Sequence, residues 1–207
     1  MIPDISIIIT SYNYGKYIDR CLRSCLNQKD VNFEIIIVDD CSTDDTEEKI
    51  APYLSDKRVT FVKLQNNVGV SVASNMGIMN SRGRFFIRVD ADDFVNDKMC
   101  YFLHNYLQNN RKVFGVACDY IYVNEYEEKI ERLSAEEKPI SCGVMYRTDS
   151  FKEIGGYNSD YRNKEHEVFL QKLKSHYTID YLKLPLYRYR RHGNNKTLSK
   201  EYKDTKI

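Results

Sequence analysis

The chain has 207 residues, of which 42% are hydrophobic and 29% charged, a composition that suits one globular domain with a sizeable core. It excludes intrinsic disorder, collagen and coiled coil. Thirty-one Lys and Arg against thirty Asp and Glu leave a formal net charge of +1, so no bulk field draws the chain to nucleic acid or membrane.

Ile5 to Thr10 is a compact β-branched run, and Tyr17, Ile18, Cys21, Leu22, Cys25 and Leu26 follow it at helical spacing. The pattern predicts a strand and then a helix. Phe33 to Val38 repeats the strand signal, and Ser42-Thr43-Asp44-Asp45 has the form of a capping box opening a second helix. Val59 to Leu64 reads as a strand, Val72, Ala73, Met76 and Met79 mark a helix, and Arg84 to Val89 is the next strand. This alternation implies α/β architecture with a parallel sheet.

Beyond Asp97 the pattern becomes mixed: a helix over Lys98 to Gln108, strands over Val113 to Cys118 and Tyr120 to Asn124, then a polar stretch from Glu125 to Lys138. A short helix from Thr148 to Ile154 stops at Gly155-Gly156, a left-handed terminus, and a helix follows over Glu165 to Lys174. Tyr177 to Leu182 and Leu186 to Tyr189 read as short strands, before a polar, basic tail from Lys196 to Ile207 without a clear amphipathic helix. No repeat or linker divides the chain. Residues 1–207 form one domain, with a nucleotide-binding half over 1–97 and a more variable half over 98–207.

The longest apolar runs fall far short of the roughly 20 residues that span a bilayer. The start Met1-Ile2-Pro3-Asp4 lacks the features of a cleaved leader, so the expectation is a cytoplasmic protein. The six cysteines, Cys21, Cys25, Cys41, Cys100, Cys118 and Cys142, lack metal-ligand spacing and read as small core residues without chemistry.

Ligands of open α/β sheets bind beyond the carboxyl ends of the strands. Three such ends are polar here: Thr10-Ser11-Tyr12-Asn13, Asp39-Asp40-Cys41-Ser42 and Asp90-Ala91-Asp92-Asp93. Carboxylates crowded at a strand end repel one another unless a cation compensates, and hard oxygen ligands favour Mg2+ or Mn2+. The plainer alternative is that Asp92 or Asp93 caps a helix while the others are solvated. Aspartates before Ser42-Thr43 commonly shape a turn, which accounts for one of Asp39 and Asp40; a carboxylate at this edge can also accept from a base or ribose, which suits Asp40. Tyr12 offers a ring to a base, or simply packs.

These segments, taken with Asn67-Val68-Gly69-Val70, Gly143-Val144-Met145-Tyr146-Arg147, Ile154-Gly155-Gly156-Tyr157 and Leu186-Tyr187-Arg188-Tyr189-Arg190-Arg191-His192, resemble family 2 glycosyltransferases of the GT-A fold over nearly the whole chain. The resemblance implies a single GT-A domain with a Rossmann-like, mostly parallel central sheet flanked by helices. It also implies a nucleotide-diphosphate-sugar donor, usually with uridine, a divalent ion at a DxD-type motif, and inversion at the anomeric carbon. Carried over by position, Thr10, Tyr12 and Asp40 meet the base or ribose, Asp90 and Asp92 the sugar nucleotide, and Asp92 or Asp93 the metal. His192 lies in the segment expected to fold back toward the diphosphate.

Two positions depart from the family pattern. Many relatives have an arginine where this chain has Ser74; Arg82, Arg84 or Arg88 are the available substitutes, although charges around a strand read first as solvent-facing. The family's acidic pair before an aromatic-rich helix is replaced by Lys164-Glu165-His166-Glu167. Glu165 falls at the general-base position, ahead of His166 and then Glu167, each of which also has an ordinary role at a helix start.

The expected activity is metal-assisted transfer of a sugar from a donor, UDP-linked by resemblance, to a hydroxyl of a saccharide or lipid-linked acceptor, in surface polysaccharide or glycoconjugate synthesis. Peripheral contact with the inner membrane face is compatible with it; nucleic acid is not a partner. A rival from another class is a catalytically inactive nucleotide-sugar-binding protein, prompted by the altered Glu165 segment. A nucleotidyltransferase would need a glycine-rich basic loop, which Ser11-Tyr12-Asn13-Tyr14-Gly15-Lys16 matches weakly.

Overall fold

The computed structural model describes residues 2–161, 164–173, 177–193 and 195. Asn163 and the tail from Lys196 to Ile207 lie outside the described residues. Strands β1 (Ile5–Ser11) and β2 (Phe33–Asp39) are buried at every position, because helices cover both faces of the sheet there. Helix α1 (Gly15–Leu26) joins them, and α2 (Thr46–Ile50), β3 (Val59–Lys63), α3 (Val70–Met79) and β4 (Phe85–Asp90) continue the alternation. These four strands pair in parallel, as the sequence predicts, and stand in the order β3-β2-β1-β4.

The second half continues the same sheet. After β5 (Phe94–Val95) and α4 (Met99–Asn109) come β6 (Gly115–Val123), β7 (Lys129–Leu133), β8 (Val144–Arg147), α5 (Thr148–Glu153), α6 (Glu165–Leu173) and β9 (Ile179–Arg190). Strand β8 inserts antiparallel between β4 and β6, and β9 runs parallel to β6, so the full order is β3-β2-β1-β4-β8-β6-β9-β5 with β7 on β6. The two strands expected over 113–124 are one, as are the two expected over 177–189. Register shifts beside Asp119 let β9 run through Pro185 without breaking. The polar stretch from Glu125 contains β7, and Gly155-Gly156 stops the chain at positive φ as expected.

Two apolar cores lie on opposite faces of the sheet. Ile5, Ile7 and Ile9 pack toward α1 and α4, whereas Ile8, Phe86 and Ala73 pack with Phe151 and Phe169 on the side of α3, α5 and α6. Gly77 lets α3 lie close to the sheet, since a Cβ there would stand 2.5 Å from Ile8 Cγ2. That close approach brings the start of α3 to the carboxyl end of β1 and β4. Among the described residues, no helix is long and apolar enough to cross a membrane.

Candidate active site

The ends of β1, β2 and β4 open into a cleft of about 370 Å³. Thr10, Tyr12, Asp40, Asp90, Asp92, Asp93, Glu165, His166 and Glu167 all line it, so the structure brings together residues from four separate segments. His192 stands behind Asp92 rather than on the cleft wall, packed 4.7 Å from the Tyr17 ring, centroid to centroid.

Asp39 and Asp40 divide their work. Asp39 accepts from the Ser42 N–H at 3.1 Å and from its hydroxyl, and so shapes the turn after β2. The Ser42-Thr43-Asp44-Asp45 run does not act as a capping box: Asp44 accepts from the N–H groups of Thr46 and Gly15, at 3.1 and 3.0 Å, tying the starts of α1 and α2 together. Asp40 is buried and accepts the N–H groups of Val68 and Gly69 at 2.7 and 2.9 Å, which fixes the loop ahead of α3. Asp40→Asn leaves one of these N–H groups facing an amide donor. The expected loss is about 2 kcal/mol, lowering the melting temperature by roughly 4–8 °C. A calorimetric scan checks it.

Asp92 and Asp93 are buried and held by β9 and the described residues just after it. Asp92 Oδ2 lies 2.9 Å from His192 Nε2 and accepts from Asn195 Nδ2 at 3.2 Å. Asp93 accepts from the Tyr187 hydroxyl at 2.6 Å and the Arg190 N–H at 2.8 Å. Burial, then the charges of Asp92 and Asp90, push the Asp93 carboxyl well above its usual range. Cys142, which its sequence spacing gives no reason to single out, donates its thiol to Asp90 Oδ2 at 2.8 Å; burial first, then Asp90, push that thiol's pKa up. Ligand atoms of Asp90, Asp93 and Cys142 lie within 4.8 Å of one another.

These groups fit a hard divalent cation. Asp90 Oδ1 is buried without a hydrogen-bond donor among the described residues, although Arg88 Nε lies 3.3 Å away, and the surrounding carboxylate oxygens are the ligands Mg2+ or Mn2+ prefer. Asp92 also lines the cleft, with its Oδ2 engaged by His192 and Asn195.

At the opposite wall, Glu165 opens α6. Burial alone would raise its pKa, but the charge and hydrogen bond of Arg88 overcome that and leave it lowered. Arg88 corrects the sequence reading of a solvent-facing charge: its side chain is 2% exposed and its Nη1 lies 3.3 Å from Ser74 Oγ, at the position where the expected arginine is absent. Arg84 is exposed, and Arg82 pairs with Glu34 away from the cleft. A strand arginine looks solvent-facing in sequence because its partners are remote in the chain.

His166 is buried with its Nδ1 lacking a hydrogen-bond partner among the described residues; burial, then the positive charge of Arg88, lower its pKa from 6.5 to about 4. The unfolded chain therefore takes up this proton below pH 6.5 while the folded one stays neutral. Stability is full above pH 6.5 and falls as pH drops toward 4, by about 3 kcal/mol from this group. Urea titrations across that window should show His166→Phe flattening the slope. Glu167 is exposed and faces the mouth of the cleft.

The family model for Glycosyl transferase family 2 matches residues 6–181. Glycosyltransferase GlyG of Streptococcus pneumoniae serotype 4 is 38% identical over 105 residues, 50% of this chain and 35% of the relative. The putative teichuronic acid biosynthesis glycosyltransferase TuaG of Bacillus subtilis is 40% identical over 99 residues, 47% of this chain and 39% of that one. The chain spans well under half the length of these relatives. Among solved structures, S. aureus TarS 1–349 in complex with UDP-GlcNAc superposes with a TM-score of 0.80 at 20% identity, covering 98% of this chain and 61% of that one. Mannosyltransferase PcManGT from Pyrobaculum calidifontis, in complex with GDP-Man and Mn2+, gives 0.75 at 16% identity over 94% of this chain and 59% of that one. Both likenesses establish the GT-A fold.

Proposed function

The chain belongs to glycosyl transferase family 2, and from that premise we propose that it transfers a sugar from a UDP-linked donor to a hydroxyl acceptor, with inversion, in surface polysaccharide or glycoconjugate synthesis. The observation that carries this reading is the meeting of Asp40, Asp92 and Glu165 around one cleft. The UDP-GlcNAc bound by TarS and the teichuronic acid role given to TuaG support the donor and product classes.

Thr10, Tyr12 and the loop fixed by Asp40 receive the nucleoside, within residues 1–97. Asp92, with Asp90 and Asp93 beside it, would hold a divalent cation, Mn2+ or Mg2+, which when bound would supply positive charge toward the leaving diphosphate. His192 and Asn195 orient Asp92. Glu165, kept ionised by its arginine partner, accepts the proton of the attacking hydroxyl while the acceptor, a saccharide or lipid-linked glycan, enters along residues 98–207. Direct displacement of this kind forms no covalent intermediate on the protein. A cytoplasmic location, with peripheral contact at the inner membrane face, belongs to the same proposal.

The test is a thermal-shift screen of nucleotide diphosphates with and without Mn2+, followed by product detection with UDP-sugars. A melting rise selective for UDP with Mn2+, together with transfer or donor hydrolysis, supports the proposal. Binding without any turnover returns the inactive nucleotide-sugar-binding protein, and no nucleotide stabilisation at all overturns both.

A further inference from the structure

Arg88 lies on β4 two residues before Asp90, so the two side chains leave the same face of the sheet. Its guanidinium is fixed from three segments distant in sequence. Nη1 donates to Glu165 Oε1 at 2.7 Å and to Ser74 Oγ of α3 at 3.3 Å, while Nη2 donates to Ser141 Oγ in the loop before β8. Among the described residues, this guanidinium is the one side-chain hydrogen-bond partner of the Glu165 carboxylate. Arg88 therefore spans the cleft wall from the acidic strand end to the first turn of α6.

A buried ion pair is a poor device for stability, because desolvation offsets most of its attraction and apolar side chains of similar size serve as well. Geometry is what such a pair provides. Glutamate has one more rotatable bond than aspartate, so a carboxylate on this longer stem loses more rotamer freedom when held in one place. A planar guanidinium, itself pinned by two serines, presents its N–H groups in a fixed fork and defines where the carboxylate stands.

We infer that Arg88 is a positioning residue that aims the Glu165 carboxylate and fixes its place relative to the donor end of the cleft. The inference rests on the proposed reading in which Glu165 takes the acceptor proton. Arg88 acts on proton transfer through Glu165, so that part of its effect exists only while Glu165 is functional; its Nε also lies 3.3 Å from Asp90 Oδ1, a charge contact that Arg88→Lys keeps and Arg88→Met removes.

The experiment is a kinetic cycle on the full chain with Arg88→Met, Arg88→Lys, Glu165→Gln and the Arg88→Met/Glu165→Gln double variant, using UDP-sugar and Mn2+. Arg88→Met is expected to lower kcat about 10²-fold, the scale of an ångström-sized misplacement, with donor KM within about threefold of wild type. Arg88→Lys recovers part of the loss, and the double variant is no slower than Glu165→Gln. Losses that multiply in the double variant, or a rise in donor KM at unchanged kcat, overturn the inference. If Arg88→Met fails to fold, the Arg88→Lys/Glu165→Gln cycle gives the same comparison. The double variant, which leaves no unpaired carboxylate at position 165, should melt above Arg88→Met. A Glu165→Gln variant with full rate brings down the base assignment itself, whereas loss in Glu165→Gln without loss in Arg88→Met rejects only the role of Arg88.

Discussion

Asp92→Asn should slow sugar transfer by about 10³-fold and at the same time raise the melting temperature of the metal-free protein. The two effects have one origin. Asp90, Asp92 and Asp93 are crowded at the end of β4, and the charge of Asp92 is among the causes that push both the Asp90 and the Asp93 carboxyl up. A neutral isostere relieves that repulsion, while its oxygen still accepts from Asn195, whose Nδ2 lies 3.2 Å from Asp92 Oδ2. It also removes the negative charge proposed to hold the cation. Sites that bind charge commonly sacrifice stability in this way. Initial rates at saturating donor and Mn2+, set beside calorimetric scans without metal, measure both. A variant that keeps transfer within tenfold of wild type would move the cation to Asp90 and Asp93.

Glu165→Gln is the second large effect: kcat should fall by about 10²–10⁴-fold while nucleotide affinity stays within about twofold. The amide oxygen can still accept from Arg88, so the fold keeps its buried contact; what is lost is the ability to take a proton. Because the net effect of burial and Arg88 is to lower the pKa of Glu165, the wild-type acid limb of kcat should lie below the usual carboxylate range. Above that limb the carboxylate is ionised and the rate holds level; below it, protonation abolishes the base. The residual rate of the glutamine variant should lack this limb. Calorimetric titration with UDP separates the binding term from the chemical one.

The first half of the fold was legible because parallel strands covered on both faces write themselves as unbroken β-branched runs, as Ile5 to Thr10 and Phe33 to Val38 do. Strand β8 was not, since its four residues form a strand only through pairings such as Ile87 with Met145, far apart in the chain. Pro185 read as a gap between strands; the register shift opposite it is a property of the pair, invisible in β9 alone. In the site, the acidic motif stood out by its crowding at a strand end and the Glu165 segment by its resemblance to the family pattern. Arg88 and Cys142 did not, because Arg88 finds partners 14, 53 and 77 residues away and Cys142 meets Asp90 52 residues back. Spacing along one element carries no trace of such meetings.

The hold that β9 and the residues after it exert on the acidic strand end has a consequence for biosynthesis. Tyr187, Arg190, His192 and Asn195 reach Asp92 and Asp93 across 94 to 103 residues of chain. A nascent chain emerging from the ribosome can assemble its first four strands early, yet their aspartates then face one another without these donors. Loop closure over that separation is slow, so the pocket matures only after β9 and the residues behind it have left the ribosome.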